Sequence, residues 1–251
     1  MIRLARSEAT KLLSAPSTWI LANLTVLGTW PMAWMNAVPP SDLSSDSELL
    51  FSSTPVPPEY QGFDMAGFGH VLIVVLAALW AGSEYGRNTQ LRTTLLATPR
   101  RLRVFLVKAA LIALLTAAIG VATMTGALVL THAADDSVIA PWTLTPAIWA
   151  NIGGVTLAWT LTALITFSLG TLARTMILPL ILMVPLVIGV GDFIAGLWAG
   201  ARYLPTTAGA AMYSDPTTGI YLSPTVGGLV QFSWAAGSLV VSAVVFCHRD
   251  V

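Results

Sequence analysis

Charged residues and cysteine are scarce in this sequence. Only 10% of its 251 residues are charged and 55% are hydrophobic, whereas a typical soluble domain carries about 25% charged residues. So few charges cannot cover a folded chain with a surface that water solvates, and an ordinary soluble domain is therefore excluded. The single cysteine, Cys247, excludes a disulfide framework and a metal site built from several cysteines.

The motifs of soluble catalysis are missing as well. The chain contains no G-x-x-x-x-G-K-[ST] phosphate loop, no H-E-x-x-H motif and no G-x-S-x-G motif. Its three histidines, His70, His132 and His248, fall in different segments and predict no metal site. We therefore predict a protein that is not an enzyme and that binds no metal or cofactor itself.

What the sequence does contain is long hydrophobic runs. Its mean hydropathy is +0.76, and six segments have the roughly 20 apolar residues that a helix needs to cross a bilayer. Backbone polar groups in lipid find partners only within their own segment, so each run should be helical. The predicted fold class is an all-α integral membrane protein with six transmembrane helices, at about 18–38, 63–81, 104–130, 147–172, 176–198 and 229–247.

The basic residues predict the orientation of these helices. With the N-terminus inside, 11 of the 12 Lys and Arg residues lie on the cytoplasmic side and only Arg202 lies outside. This asymmetry predicts a multi-pass protein of the bacterial inner (plasma) membrane with both termini in the cytoplasm. Because the net charge is zero, no basic excess points to nucleic acid as a partner.

Two segments outside the predicted spans have helical features. Residues 1–15 place apolar residues on one face and Arg3, Arg6 and Lys11 on the other, which predicts an amphipathic helix lying on the membrane lipid of the inner leaflet. Pro16 should end it, and a simple orienting tail is the alternative. Glycine and proline interrupt semi-apolar pieces in about 199–228, which predicts short or re-entrant helices that protein must bury.

The inner loop between the second and third predicted spans combines leucine and arginine. Between Glu84 and Leu96 only Gly86 interrupts a helical pattern, with leucines on one face and Arg87 and Arg92 facing away. A basic cluster then follows, suited to anionic headgroups. A solvated loop that only fixes topology is the alternative. The leucines favour a short cytoplasmic helix that contacts a partner surface.

The predicted spans are almost free of charge. Asp192, near the outer end of the fifth, is either a substrate or gating contact or an interfacial acid that reaches outward. Trp30, Trp34 and Met35 of the first form a bulky patch that either contacts an apolar substrate or faces lipid. A carrier driven by protons or sodium would need more than this, so energy for active transport must come from another subunit. Small residues at four-residue spacing predict close helix packing, as in Ala118-Ala122-Gly126 and Thr162-Thr166-Gly170.

Residues 82–108 read G-S-E-Y-G-R-N-T … T-L-L-A-T-P-R-R … K. This stretch resembles the pattern G-x-E-[YF]-x-x-x-T … T-L-x-x-P-x-R … K of the type-2 permeases of ABC transporters. Glu8 and Lys11 before the first span and Leu204-Pro205 in the last outer loop fit the same family. The ending F-C-H-R-D-V is similar to its F-x-R-R-D, with His248 where Arg is commoner. The resemblance covers the whole chain.

The resemblance implies a single permease domain, residues 1–251, that works with a separate ABC ATP-binding subunit carrying ATP and Mg²⁺. Two permease chains, favoured as a homodimer, and two ATPases would form an exporter with the substrate path between the permeases. The short outer loops are typical of exporters of drugs, antimicrobial peptides or other amphipathic substrates. A membrane scaffold or sensor-associated subunit is the alternative. In the family the first inner loop docks on the ATPase, which assigns ATPase coupling to Glu84, Tyr85, Arg87, Thr89, Leu91, Arg92, Leu95, Pro99, Arg100 and Arg101.

Overall fold

The computed structural model of the protein describes residues 2–37, 60, 62–63, 65–85, 100–134, 142–214, 219 and 221–248. Over these ranges the chain is helical and contains no β-strand. The predicted helix over 84–96 lies mostly outside the described residues. Only its first residues, Glu84 and Tyr85, are included, in a 3₁₀ turn over Ser83–Tyr85.

The chain begins with two helices joined at a proline. Helix α1 covers Ile2–Ser14 and α2 covers Pro16–Ala37, so the predicted break at Pro16 is confirmed. Proline is favoured at the first position of a helix, where its missing N–H would have no intrahelical partner. The break lets α1 leave the axis of α2 and pack against a later part of the chain.

Each of the other predicted segments is also helical. Helix α3 covers Ala66–Gly82, α4 covers Arg101–Ala134, α5 covers Pro146–Ala173 and α9, the last helix, covers Pro224–His248. Thr145 caps α5, accepting a hydrogen bond from the backbone N–H of Ile148 (3.3 Å) ahead of the N1 proline. At 34 residues, α4 is about 50 Å long, which exceeds the hydrocarbon thickness as predicted.

The fifth predicted span contains two prolines, Pro179 and Pro185, which are expected to distort a helix, and it is broken after the second of them. Helix α6 covers Ile177–Pro185 and α7 covers Gly191–Leu197, with a π-helical turn, Leu186–Val190, between them. Gly189 has a φ of +117°, a backbone conformation that is easy only for glycine. The break therefore follows Pro185 by one turn and depends on a residue without a side chain.

Four helical stretches in the described part of the chain are long and apolar enough to cross a membrane: α4, α5, the stretch Ile177–Leu197 and α9. Helix α3 is apolar but only 17 residues long. Helix α2 has 22 residues, but Asn23 and three threonines lower its hydropathy. The protein is therefore an all-helical membrane protein, and six crossings remain a prediction.

Short helices follow α7, as predicted, but only the second of them is buried throughout. A 3₁₀ helix covers Ala199–Tyr203 and α8 covers Pro205–Ala210. All six residues of α8 are buried, mainly against α9 and α5. Helices α8 and α9 approach closely because Gly209 of α8 has no side chain. A Cβ at Gly209 would meet the amide group of Gln231 on α9 at 2.6–2.7 Å.

Helix α5 lies at the centre of the bundle. It packs against α3, α4, α6 and α9, while α2 packs against α3 and α4. The small-residue prediction holds at Gly126, where a Cβ would overlap the indole of Trp30, and at Gly170, where it would meet Ala81 Cβ at 2.7 Å. Within its most apolar 18 residues α5 is 61% buried, against 17% for Ile177–Leu197 and 22% for α9. The stretch Ile177–Leu197 and helix α9 thus present apolar faces for lipid or another chain to cover.

Candidate functional site at the basic end of the bundle

Several chain segments meet at one end of the bundle, which we term the basic end. It holds α1, the end of α3 with the turn Ser83–Tyr85, and the start of α4 at Arg101. The segment 86–99 leaves this end at Tyr85 and returns to it at Arg100. Tyr85 and Arg100, the two roots of the predicted coupling segment, therefore both lie at this end.

A buried ion pair joins α1 to α4 at the basic end. The Glu8 carboxylate, 0% exposed, accepts a short hydrogen bond from the ammonium of Lys108, whose side chain is 5% exposed. Its other oxygen lies 2.6 Å from Lys11 Nζ, one turn along α1 and 31% exposed. Breaking a buried pair by removing one partner strands the other charge in the protein interior. Glu8 therefore fixes the position of α1 on α4.

Burial by itself would raise the pKa of the Glu8 carboxyl. The charge and hydrogen bond of Lys108, followed by those of Lys11, outweigh this effect. The pKa consequently lies below its ordinary value of 4.5, and the carboxylate stays ionised at neutral pH.

The indole ring of Trp80 lies beside Lys108. The ammonium nitrogen of Lys108 lies 4.7 Å from the ring centroid of Trp80 on α3, within the range of a cation–π contact. The Trp80 indole N–H donates to the backbone oxygen of Lys108 at 3.4 Å. Lys108 therefore connects α1, α3 and α4, three turns or fewer from the roots of segment 86–99.

The last helix also reaches the basic end. Phe105 of α4 packs against Phe167 of α5 and Phe246 of α9, with ring centroids 5.4 and 5.8 Å apart. The Arg101 guanidinium donates to the backbone oxygen of Cys247 at 3.5 Å. Phe246 and Cys247, the start of the family-like ending, thus pack against the first turns of α4, close to the point where segment 86–99 returns to the bundle.

The structure includes only part of the predicted coupling set. Glu84 and Tyr85 lie in the 3₁₀ turn after α3, and Tyr85 is half-buried against the core. Arg100 is exposed and Arg101 half-buried. The other six members fall outside the described residues: Arg87, Thr89, Leu91, Arg92, Leu95 and Pro99.

The predicted substrate-path residues are not gathered at one place. Trp34 and Met35 are 43% and 74% exposed on α2. Trp30 instead faces the bundle, where its indole N–H donates to the backbone oxygen of Thr123 at 3.1 Å and its ring packs on Gly126. Asp192 lies in the first turn of α7, where its carboxyl group is hydrogen-bonded to the hydroxyl group of Tyr221. Helix α7 packs on α8 and the 3₁₀ helix, whereas α2 packs on α3 and α4.

Lys108 is a functional candidate that the sequence analysis does not single out. It lies inside the third predicted span, about 104–130, where neither the count of cytoplasmic charges nor the family-like pattern assigns it a partner. A basic residue within a span is itself a signal, because such a group is costly in lipid unless it is paired. Its partner, Glu8, is 100 residues away, and no local pattern links the two.

No family model matches the chain, and no curated protein matches it either. The geometry of the basic end and the sequence pattern are thus the observations that bear on function.

Proposed function

We propose that this chain is the membrane-spanning permease subunit of an ATP-driven ABC exporter. In this proposal the six helical segments cross the inner membrane with both termini in the cytoplasm, and α1 lies on the inner leaflet. ATP and Mg²⁺ bind to a separate ATP-binding subunit, because the chain has no phosphate loop. The substrate is a drug, an antimicrobial peptide or another amphipathic compound.

The observation that supports this proposal most is the buried contact of Glu8 with Lys108 beside both roots of segment 86–99. A partner that pulls or pushes on that segment would act directly on Tyr85 and Arg100, at the ends of α3 and α4. The rigid ion pair would pass the displacement to α1, since buried charges resist separation. Motion would then spread to α2 through the joint at Pro16.

A second permease chain belongs to the proposal as well. Ile177–Leu197 and α9 are the least buried of the four apolar stretches, and their exposed residues include Phe193, Leu197 and Phe232. A homodimer would cover part of this surface. The exposed patch of Trp34 and Met35 and the half-buried Asp192 remain candidates for the substrate path between two copies.

The test is purification of the tagged full-length chain from its own host, followed by identification of any partner with a phosphate loop and measurement of its ATPase activity. We expect such a partner to copurify, and Arg92→Glu to reduce its recovery or its stimulation severalfold. Arg3→Glu, the same charge reversal on the exposed side of α1, is the control and should retain both.

Two results would contradict the proposal. Retention of native recovery and stimulation by Arg92→Glu would remove segment 86–99 from the contact. Recovery of the chain without any ATP-binding partner would favour the scaffold or sensor-associated alternative.

A further inference from the structure

A cleft of about 420 Å³ lies at the elbow between α1 and α2. One side of it is polar, with Lys11 and three hydroxyl-bearing residues, Ser14, Ser17 and Thr18. The other side is formed by apolar groups, among them Leu76, Leu79 and Trp80 of α3. The ligand that fits must therefore combine an anionic or hydrogen-bonding head with an apolar body.

Lys11 is well placed to bind an anionic head. Its ammonium carries three donor protons, and its contact with Glu8 at 2.6 Å holds the side chain at the edge of the cleft. Glu8 is in turn fixed by Lys108. A lysine held in this way loses less side-chain entropy on binding than a freely moving surface lysine.

The surroundings of the cleft favour a lipid over a free anion. The side chain of Trp19 is 55% exposed beside the elbow, and its indole N–H donates to the Leu13 backbone oxygen at 2.6 Å. Ile20 and Leu24, 64% and 48% exposed, continue an apolar face along α2. Tryptophan in this position is typical of the membrane interface. An acyl chain could leave the cleft along α2, whereas inorganic phosphate would leave the apolar wall unfilled.

We propose that the cleft between Lys11, Ser17 and Leu79 binds an anionic phospholipid, with the phosphate at Lys11 and the start of an acyl chain against α3. The inner leaflet, where anionic lipids are abundant, is the leaflet that the basic end faces in the predicted orientation. The lipid would fill the angle between α1 and α2 beside the Glu8–Lys108 pair. This inference does not require that the chain be an exporter.

The test is native mass spectrometry of the full chain in detergent, with any copurifying partner retained, titrated with phosphatidylglycerol, with phosphatidylcholine or with inorganic phosphate. We expect phosphatidylglycerol to bind with a defined stoichiometry and more tightly than phosphatidylcholine. Lys11→Gln should weaken phosphatidylglycerol binding about tenfold, the effect of one lost charge-assisted hydrogen bond. Lys11→Arg should retain most of it.

Arg6→Gln is the matched control, since it removes the same charge from an exposed position of α1 outside the cleft, and it should bind phosphatidylglycerol like the native chain. Ala15→Phe is a second variant, which fills the cleft without a change of charge and should also abolish the tight site. Equal losses in Lys11→Gln and Arg6→Gln would overturn the proposal, as would unchanged binding in Ala15→Phe. Equal binding of the two lipids, or competition by millimolar phosphate, would overturn the assignment to an anionic phospholipid.

Discussion

The two ends of the bundle are stabilised by different kinds of contact. At the basic end, a buried carboxylate is shared by Lys108 and Lys11. At the opposite end, around α7 and α8, two contacts between segments are neutral hydrogen bonds: Thr206 donates its hydroxyl proton to the Leu186 backbone oxygen at 3.3 Å, and Trp234 donates to the Tyr203 oxygen at 2.9 Å. The glycines of α8 and α9 add close contacts there.

This difference bears on how the molecule could move. A buried ion pair is difficult to separate because each charge would lose its partner without gaining water. A neutral hydrogen bond contributes about 1 kcal/mol, and the π turn before α7 already departs from regular helix geometry. We therefore expect the basic end to move as one unit and the opposite end to rearrange at lower energy.

The largest expected effect is at Lys108. Lys108→Met should lower the free energy of unfolding by about 3 kcal/mol, since it removes one partner of a buried pair while Lys11 still holds the carboxylate. Lys11→Met, at a partly exposed position, should lower it by at most about 1 kcal/mol. Reversible unfolding in mixed detergent micelles would measure both. Equal effects of the two substitutions would remove the distinction between the ends.

The next effect is at the contact between α2 and α4. Gly126→Leu should destabilise the fold by about 2 kcal/mol, because even a Cβ there overlaps the indole of Trp30. Trp30→Ala in the same chain should restore part of the loss by making room. Gly153→Leu is the control, since a Cβ at Gly153 meets nothing within 4 Å. Helix propensity favours Leu over Gly at both positions, so a similar loss in Gly126→Leu and Gly153→Leu would show that the contact with Trp30 is not its cause.

A smaller effect is expected at the opposite end. Thr206→Val keeps the shape of the side chain but leaves the Leu186 carbonyl without its hydroxyl donor, so the loss should be about 1 kcal/mol. Thr160→Val is matched to it, because the Thr160 hydroxyl donates within its own helix, to Thr156 O at 2.7 Å, and its loss should be smaller. Hydrogen exchange at α7 should also become faster in Thr206→Val, whereas exchange in α1 should not change.

The smallest expected change is the pH dependence of the stability that Glu8 contributes near neutral pH. Its folded-state pKa is lowered from 4.5, so its contribution to stability is fully present above 4.5 and is lost as the pH falls through the folded-state value. Between pH 7 and 5 the stability difference between the native chain and Glu8→Gln should be constant, and below about pH 4.5 it should shrink. A difference that shrinks between pH 7 and 5 would contradict an ionised, ion-paired Glu8.

Residue patterns near one another in sequence predicted most of the helical layout. The break at Pro16, the helix predicted over about 147–172 and the distortion of the fifth segment are local consequences of hydrophobic run length and of proline chemistry. Within the predicted segment of short helices, about 199–228, the structure describes a buried helix over Pro205–Ala210 and a 3₁₀ helix over Ala199–Tyr203 in which only Ala201 is buried. The coupling and substrate-path assignments stay predictions.

The sequence by itself determined that this chain is helical, apolar and divided at Pro16, because hydrophobic periodicity and backbone chemistry act over a few residues. Only the tertiary structure decided that Glu8 pairs with Lys108, that Trp30 packs on Gly126, and that a cleft with Lys11 at its edge opens at the elbow of α1 and α2. The physical reason is that an ion pair depends on the distance between two charges in space and not on their separation in sequence. Glu8 and Lys108, 100 positions apart, become neighbours only after the helices pack.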